Sequence, residues 1–144
     1  MNSSTQLLVI SAHAADFVWR AGGAIATVTQ SGGTAKVIAL SYGERGESGE
    51  LWKEPGQTEE KVKAIRRAEG EEAATKLGAS FEGMDLGDYP LELDRAAIER
   101  LTTAIREFAP TVILTHTKED PSTPTTAWLT LRPKRRANSP PAQG

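Results

Sequence analysis

The chain has 144 residues, no cysteine and a formal net charge of −2, with 38% hydrophobic and 25% charged residues, as in a soluble globular protein. This length suits one domain that buries about two-thirds of its unfolded surface. Without cysteine, a disulfide framework, a thiol nucleophile and a Cys-ligated zinc site are excluded, so a metal site would need His and carboxylate ligands.

Strand and helix patterns alternate from the N-terminus onward. The apolar segment Gln6–Ser11 predicts a β-strand, and Phe17–Gln30 predicts a helix that the following glycines end. Ala35–Leu40 predicts a second strand. Both strand segments are nearly continuous in Val, Ile and Leu, which is typical of strands covered on both faces. The apolar run at the N-terminus is too short for a signal sequence or a membrane span, so we expect a cytoplasmic protein with no membrane partner.

Thr58 is a suitable N-cap for a long helix that runs to about Leu77, where Gly78 ends it. The apolar positions on one face of this helix are Val62, Ile65, Ala73 and Leu77. Phe81–Leu86 then predicts a third strand.

Asp94 is a suitable N-cap for a third helix, which must end before Pro110. Its apolar positions predict one buried stripe, formed by Ile98, Leu101, Ile105 and Phe108. Thr111–His116 predicts a fourth strand, again with the Val, Ile and Leu content of a strand covered on both faces. The β-α-β-α-β-α-β order with right-handed crossovers predicts an α/β fold, an open parallel sheet with helices on both faces.

Charged and imidazole side chains follow each predicted strand. In chain order they are His13, Asp16, Glu44, Arg45, Glu47, Asp85, Asp88, His116, Glu119 and Asp120. Ligands of open α/β sheets bind outside the carboxyl ends of the strands. The pattern therefore predicts that the candidate catalytic residues lie on one rim of the sheet.

His13 and Asp16 stand three residues apart where the first strand ends. Imidazole and carboxylate groups are common zinc ligands, so the pair could be half of a metal site. The alternative is structural, because Asp is a preferred N-cap residue and Asp16 could cap the helix that begins near Phe17. These residues alone leave both interpretations open.

The segment Ser41–Trp52, with the sequence SYGERGESGELW, is too long and too acidic for a simple turn. Its glycines permit a tight backbone while Glu44, Arg45 and Glu47 project, as in a substrate-binding loop. The alternative is a solvated, mobile loop.

The segments SAHAADFVWRAGGAIA and VIALSYGERGESGELW resemble the PIG-L/LmbE family of zinc-dependent enzymes, most closely its 4-oxalomesaconate hydratase branch. The resemblance runs from about Leu7 to Pro121. It implies a Rossmann-like (LmbE-like) fold, Zn²⁺ as the cofactor, and His13 and Asp16 as two of the zinc ligands.

One departure from the family pattern bears on the reaction. Family deacetylases carry Ala-His-Pro-Asp-Asp-Glu at the first motif, and the first Asp is their general base, whereas this chain has Ala15 there. A general base is typically worth about 100- to 10,000-fold in rate. The resemblance therefore favours hydration of an unsaturated keto-tricarboxylate in aromatic-acid catabolism. The alternatives are a zinc-dependent deacetylase of N-acetylated sugars and a non-enzymatic α/β domain.

Hydration of a double bond needs a Lewis acid, a group that transfers protons, and cations for the substrate carboxylates. Glu47 or Glu44 could transfer protons, and Arg20 and Arg45 could pair with the carboxylates of a small-molecule substrate. Tyr42, in the same loop, is a further substrate-binding candidate.

Residues 1–121 form the expected domain, and residues 122–144 form a tail rich in Pro and Arg. In the family, the third zinc ligand closes an Asn-Pro-Asp-His-like motif after the fourth strand, and this chain lacks that motif. His116 is the available substitute. A reading frame one base earlier can decode Thr123–Thr126 as Asn-Pro-Asp-His, so we hypothesise a shifted frame, which sequencing the coding DNA would test.

The fold would then be incomplete at its C-terminus and would expose apolar surface, which favours a homo-oligomer. The four basic residues of the tail do not indicate a nucleic-acid partner, because residues 1–121 are net acidic.

Overall fold

The structure, a computed structural model, describes residues 5–117. Within this range, strands and helices alternate as predicted. The elements are β1 (Gln6–Ser11), α1 (Asp16–Gln30), β2 (Thr34–Ala39), α2 (Glu59–Lys76), β3 (Ser80–Gly83), α3 (Arg95–Phe108) and β4 (Val112–Thr115), with a short 3₁₀ helix at Leu51–Lys53. The tail predicted at 122–144, its hypothetical motif, Glu119 and Asp120 all lie outside the described residues.

The four strands form one parallel sheet in the order β3-β2-β1-β4. Leu8 of β1 is in register with Lys36 of β2 on one side and with Ile113 of β4 on the other. The chain moves outward from β1 to β3 and then returns to add β4 on the opposite side of β1. The strand order therefore reverses beside β1, and such a switch point is where α/β sheets bind ligands.

Helices cover both faces of the sheet, which confirms the predicted architecture. Leu7 and Val9 of β1 pack with the buried faces of α1 and α2. Leu8 and Ile10, which point to the other face because strand side chains alternate, pack with α3. β1 is thus buried between two apolar layers, and its carboxyl end is held by both.

Side-chain caps fix the start of two helices, as predicted. The Thr58 hydroxyl accepts a hydrogen bond from the Lys61 backbone N–H at the start of α2. The Asp94 carboxylate accepts one from the Ala97 N–H at 2.7 Å at the start of α3. Each cap satisfies a donor that the first turn leaves unpaired, typically worth about 1 kcal/mol. Among the described residues, no helix combines the length and apolar character needed to cross a membrane.

Two burial predictions are wrong. The composition of β4 predicts a strand covered on both faces, but Val112 is 38% exposed and Ile113 is 45% exposed. Within the described range β4 has a strand neighbour on one side only, so its composition does not secure its burial. The apolar pattern of α3 predicts that Ile98 is buried, but it is 42% exposed, because the helix turns Ala97, Leu101 and Ala104 toward the sheet.

Candidate metal and active site

The carboxyl end of β1 leads directly into the candidate site. His13 follows β1 with only 2% of its side chain exposed, and Asp16 lies in the first turn of α1. The Asp16 carboxylate turns back and accepts the His13 backbone N–H at 2.9 Å, and no side-chain hydrogen bond caps α1. The interpretation of Asp16 as a helix cap is therefore wrong. Its carboxylate faces His13.

Three side chains converge on one point at this end of the sheet. His13 Nδ1 lies 3.6 Å from Asp16 Oδ2 and 3.4 Å from Glu47 Oε1. One ligand atom from each of the three residues lies within 4.8 Å of the others. An imidazole nitrogen and carboxylate oxygens are ligands that zinc accepts, so this group, the His13/Asp16/Glu47 cluster, could bind a metal ion.

The electrostatics of the cluster favour positive charge. Burial lowers the pKa of His13, but contacts with Asp88 and Glu47 outweigh burial and raise that pKa to about 10. Burial raises the pKa of Asp16, but contacts with His116 and His13 outweigh it and lower that pKa. The negative charge that stabilises an imidazolium here would also stabilise a divalent cation.

His116, the predicted substitute ligand, lies beside the cluster. Its Nε2 is 3.2 Å from Asp16 Oδ2 and 3.0 Å from the Ala12 backbone nitrogen. Nε2 accepts from Ala12 when it carries no proton and donates to Asp16 when it does. These two contacts hold the His116 ring beside Asp16, and the His13/Asp16/Glu47 cluster does not include it.

Asp88, which the sequence pattern places on the rim without an individual role, is a site residue. Its side chain is fully buried, and its Oδ1 lies 3.2 Å from His13 Nε2. Its Oδ2 accepts the backbone N–H groups of Arg45 at 3.0 Å and Gly46 at 2.7 Å. Its position after the third predicted strand indicated that it lies on the rim. The sequence does not show that the segment between β3 and α3 reaches the end of β1 and contacts His13.

Three of the predicted site residues do not meet the cluster. Glu44 is buried, accepts the Tyr42 N–H and lies 3.6 Å from the Lys63 ammonium. The Tyr42 ring packs against Gly83 in β3. The Arg45 guanidinium pairs with Glu59 at 2.6 Å, away from His13.

A cleft of about 370 Å³ opens beside Asp16. Arg20, from the second turn of α1, lines this cleft together with Asp16, Thr115 and His116. Arg66 of α2, for which the sequence pattern predicts no role, approaches Glu47, and its Nη2 lies 3.7 Å from Glu47 Oε2. Cationic groups therefore flank the carboxylates of the cluster.

Comparison with known proteins places this site in a family. The family model described as PIG-L: GlcNAc-PI de-N-acetylase matches residues 8–125. The chain belongs to the PIG-L family. This match confirms the family resemblance of the two segments SAHAADFVWRAGGAIA and VIALSYGERGESGELW.

Among PIG-L relatives, the chain is 51% identical over 114 residues to the 4-oxalmesaconate hydratase of Pseudomonas putida, an alignment covering 79% of this chain and 44% of that protein. The crystal structure of GalB, the 4-carboxy-2-hydroxymuconate hydratase of P. putida KT2440, is 48% identical with a TM-score of 0.82, over 84% of this chain and 50% of that one. The chain thus spans about half the length of these relatives.

A solved structure with a different named activity shares the fold. The N,N'-diacetylchitobiose deacetylase of Pyrococcus horikoshii is 25% identical, with a TM-score of 0.67, over 76% of this chain and 40% of that one. The identity to the two hydratases is about twice as high.

Proposed function

We propose that this PIG-L chain belongs to a zinc-dependent hydratase, a hydro-lyase that adds water to an unsaturated keto-tricarboxylate such as 4-oxalomesaconate in aromatic-acid catabolism in the cytoplasm. The observation that carries the proposal is the position of Glu47 Oε1, 3.4 Å from His13 Nδ1, while position 15 holds an alanine. The carboxylate available for proton transfer thus comes from the β2–α2 loop. The names of the two hydratase relatives support the same reaction.

His13 and Asp16 would hold the zinc ion, because both are buried and supply donor types that zinc accepts. Bound zinc would supply Lewis-acid chemistry, polarising the substrate or lowering the pKa of water.

Glu47 is the proposed proton-transfer group. In hydration, the oxygen of water bonds to one carbon of the double bond, and a proton is added to the other carbon. The Glu47 carboxylate accepts the proton that the water loses and, once protonated, supplies the proton that the second carbon gains. Its side chain is 32% exposed, so it remains accessible to a substrate while it contacts buried His13.

Arg20 is the proposed carboxylate-binding residue. It lines the same cleft as Asp16, and its guanidinium can hold a substrate carboxylate through two parallel hydrogen bonds. Arg45 and Tyr42, the other substrate-binding candidates, contact Glu59 and Gly83 and are not among the residues that line this cleft.

Zinc content and hydration activity, measured together, test the proposal. Glu47→Gln keeps the size of the side chain but removes its basic oxygen, so we expect about a 100- to 10,000-fold lower kcat. Its zinc content, measured by elemental analysis, should equal that of the unaltered chain. Glu50→Gln is the matched control, because Glu50 lies in the same loop, is 88% exposed and pairs with Lys53. It should change neither quantity.

Other outcomes would replace the proposal. If Glu47→Gln loses zinc along with activity, Glu47 is a ligand and not the proton-transfer group. Acetate release from N-acetylated sugars, without hydration of 4-oxalomesaconate, would identify a deacetylase. Absence of both activities and of bound zinc would identify a non-enzymatic domain.

A further inference from the structure

Asp88 contacts two parts of the site that come from different connections of the sheet. It lies between β3 and α3, and its side chain is fully buried. One carboxylate oxygen faces His13, and the other faces the β2–α2 loop that carries Glu47. We propose that Asp88 is a positioning residue that couples the orientation of the His13 ring to the position of Glu47. The inference deepens the proposed function and rests on it.

The contact with His13 sets which ring nitrogen faces the cluster. A carboxylate can only accept hydrogen bonds, so Nε2 must carry the proton in its 3.2 Å contact with Asp88 Oδ1. Nδ1 is then the nitrogen that points toward Asp16 and Glu47. Metal-binding histidines commonly donate their second ring N–H to a carboxylate in this way, which fixes the ring.

The contact with the loop sets the backbone immediately before Glu47. Asp88 Oδ2 accepts the N–H groups of Arg45 and Gly46, at 3.0 and 2.7 Å. A Cβ at Gly46 would collide with the ring of Tyr89, the residue after Asp88. The loop is therefore pressed closely against the β3–α3 connection at this point, and movement of Asp88 would displace the loop together with the ring of His13.

The two contacts need two acceptor oxygens, which an amide cannot supply. In an Asp88→Asn variant, an amide oxygen kept toward the loop leaves the NH₂ group facing the Nε2–H of His13. An amide oxygen kept toward His13 leaves the NH₂ group facing two backbone donors. The second arrangement places donor against donor in a buried position, and the first does so unless the ring proton moves to Nδ1, the nitrogen that faces the cluster.

Asp88→Asn tests the coupling through two readouts. Loss of a histidine's outer carboxylate partner typically weakens metal binding about 10- to 100-fold, and we expect that loss in a zinc titration. We also expect faster hydrogen exchange at the Arg45 and Gly46 amides, with unchanged exchange in β1. Asp85→Asn is the matched control, because Asp85 lies on the same connection, is 51% exposed and pairs with Lys63. It should leave both readouts unchanged.

A change in only one readout, or in neither, would overturn the coupling. Should Asp88→Asn fail to fold, the unaltered chain still decides, because coupling is reciprocal. Zinc must then slow exchange at the Arg45 and Gly46 amides, and unchanged exchange there would refute it. If the unaltered chain binds no zinc, the proposed function fails separately, and unchanged exchange at the two loop amides in Asp88→Asn would still refute the coupling.

Discussion

β1 and β4 have similar sequences and opposite surroundings. Both are rich in Leu, Val and Ile, yet Leu8 and Ile10 of β1 are no more than 1% exposed, whereas Val112 and Ile113 of β4 are 38% and 45% exposed. β1 lies between β2 and β4, and helices cover both of its faces. Position in the sheet, rather than composition, therefore decides which strand end can be held rigidly.

The same difference extends to the residues that follow the two strands. His13, after β1, is surrounded by Asp16, Glu47 and Asp88. His116, after β4, contacts Asp16 and the Ala12 backbone. Catalytic groups need supporting neighbours to stay in position, so the end of the central strand is the better place for a metal ligand.

Metal binding should show the largest difference between the two strand ends. We expect His13→Gln to weaken zinc binding by more than about 100-fold, since loss of an outer-shell partner alone costs about 10- to 100-fold. His116→Gln should cost about tenfold or less. Zinc titration with a competing chelator measures both, and an equal loss would make His116 a ligand and remove the distinction.

Stability should follow the same division. Leu8→Ala in β1 should lower the free energy of unfolding by about 2–5 kcal/mol, because it leaves a cavity between two packed layers. Val112→Ala in β4 should cost less than about 1 kcal/mol, because its side chain already contacts solvent. Urea unfolding of the two variants gives the comparison. A similar cost at both positions would show that β4 is covered in solution.

Substrate affinity should distinguish the two arginine candidates by a smaller factor. Arg20→Met should raise KM for the proposed tricarboxylate substrate about tenfold or more, since hydrogen bonds to charged groups contribute about 1.5–3 kcal/mol. Arg45→Met should change KM less than about twofold, because the exposed Arg45 guanidinium pairs with Glu59. The reverse order in steady-state kinetics would move the substrate from the cleft beside α1 to the β2–α2 loop.

The sequence predicted the fold because strands in a parallel sheet must be apolar and must be separated by crossover helices. Gln6–Ser11 has the predicted bounds, and the Thr58 and Asp94 caps lie where expected. The burial of Ile98 and Val112 could not be predicted, because it depends on the rotation of α3 and on the neighbours of β4.

The rule that ligands bind at the carboxyl ends of parallel strands correctly predicted that His13, Asp16 and Glu47 lie together, since these ends share one edge of the sheet. It also gave site roles to Glu44 and Arg45, which lie in the same loop as Glu47. Successive side chains of this irregular loop point in different directions, so Glu44 and Arg45 contact Lys63 and Glu59 of α2 instead. That choice depends on tertiary contacts, and the sequence pattern does not encode it.

The close packing of Gly46 against Tyr89 has a consequence for protein engineering. The two connections that meet there leave no space for a side chain at position 46, and they share the Asp88 carboxylate. A chimera that took only one of these connections from a relative would disrupt both the packing of Gly46 against Tyr89 and the hydrogen bond to Asp88. The β2–α2 and β3–α3 connections should therefore be transplanted together, as one module.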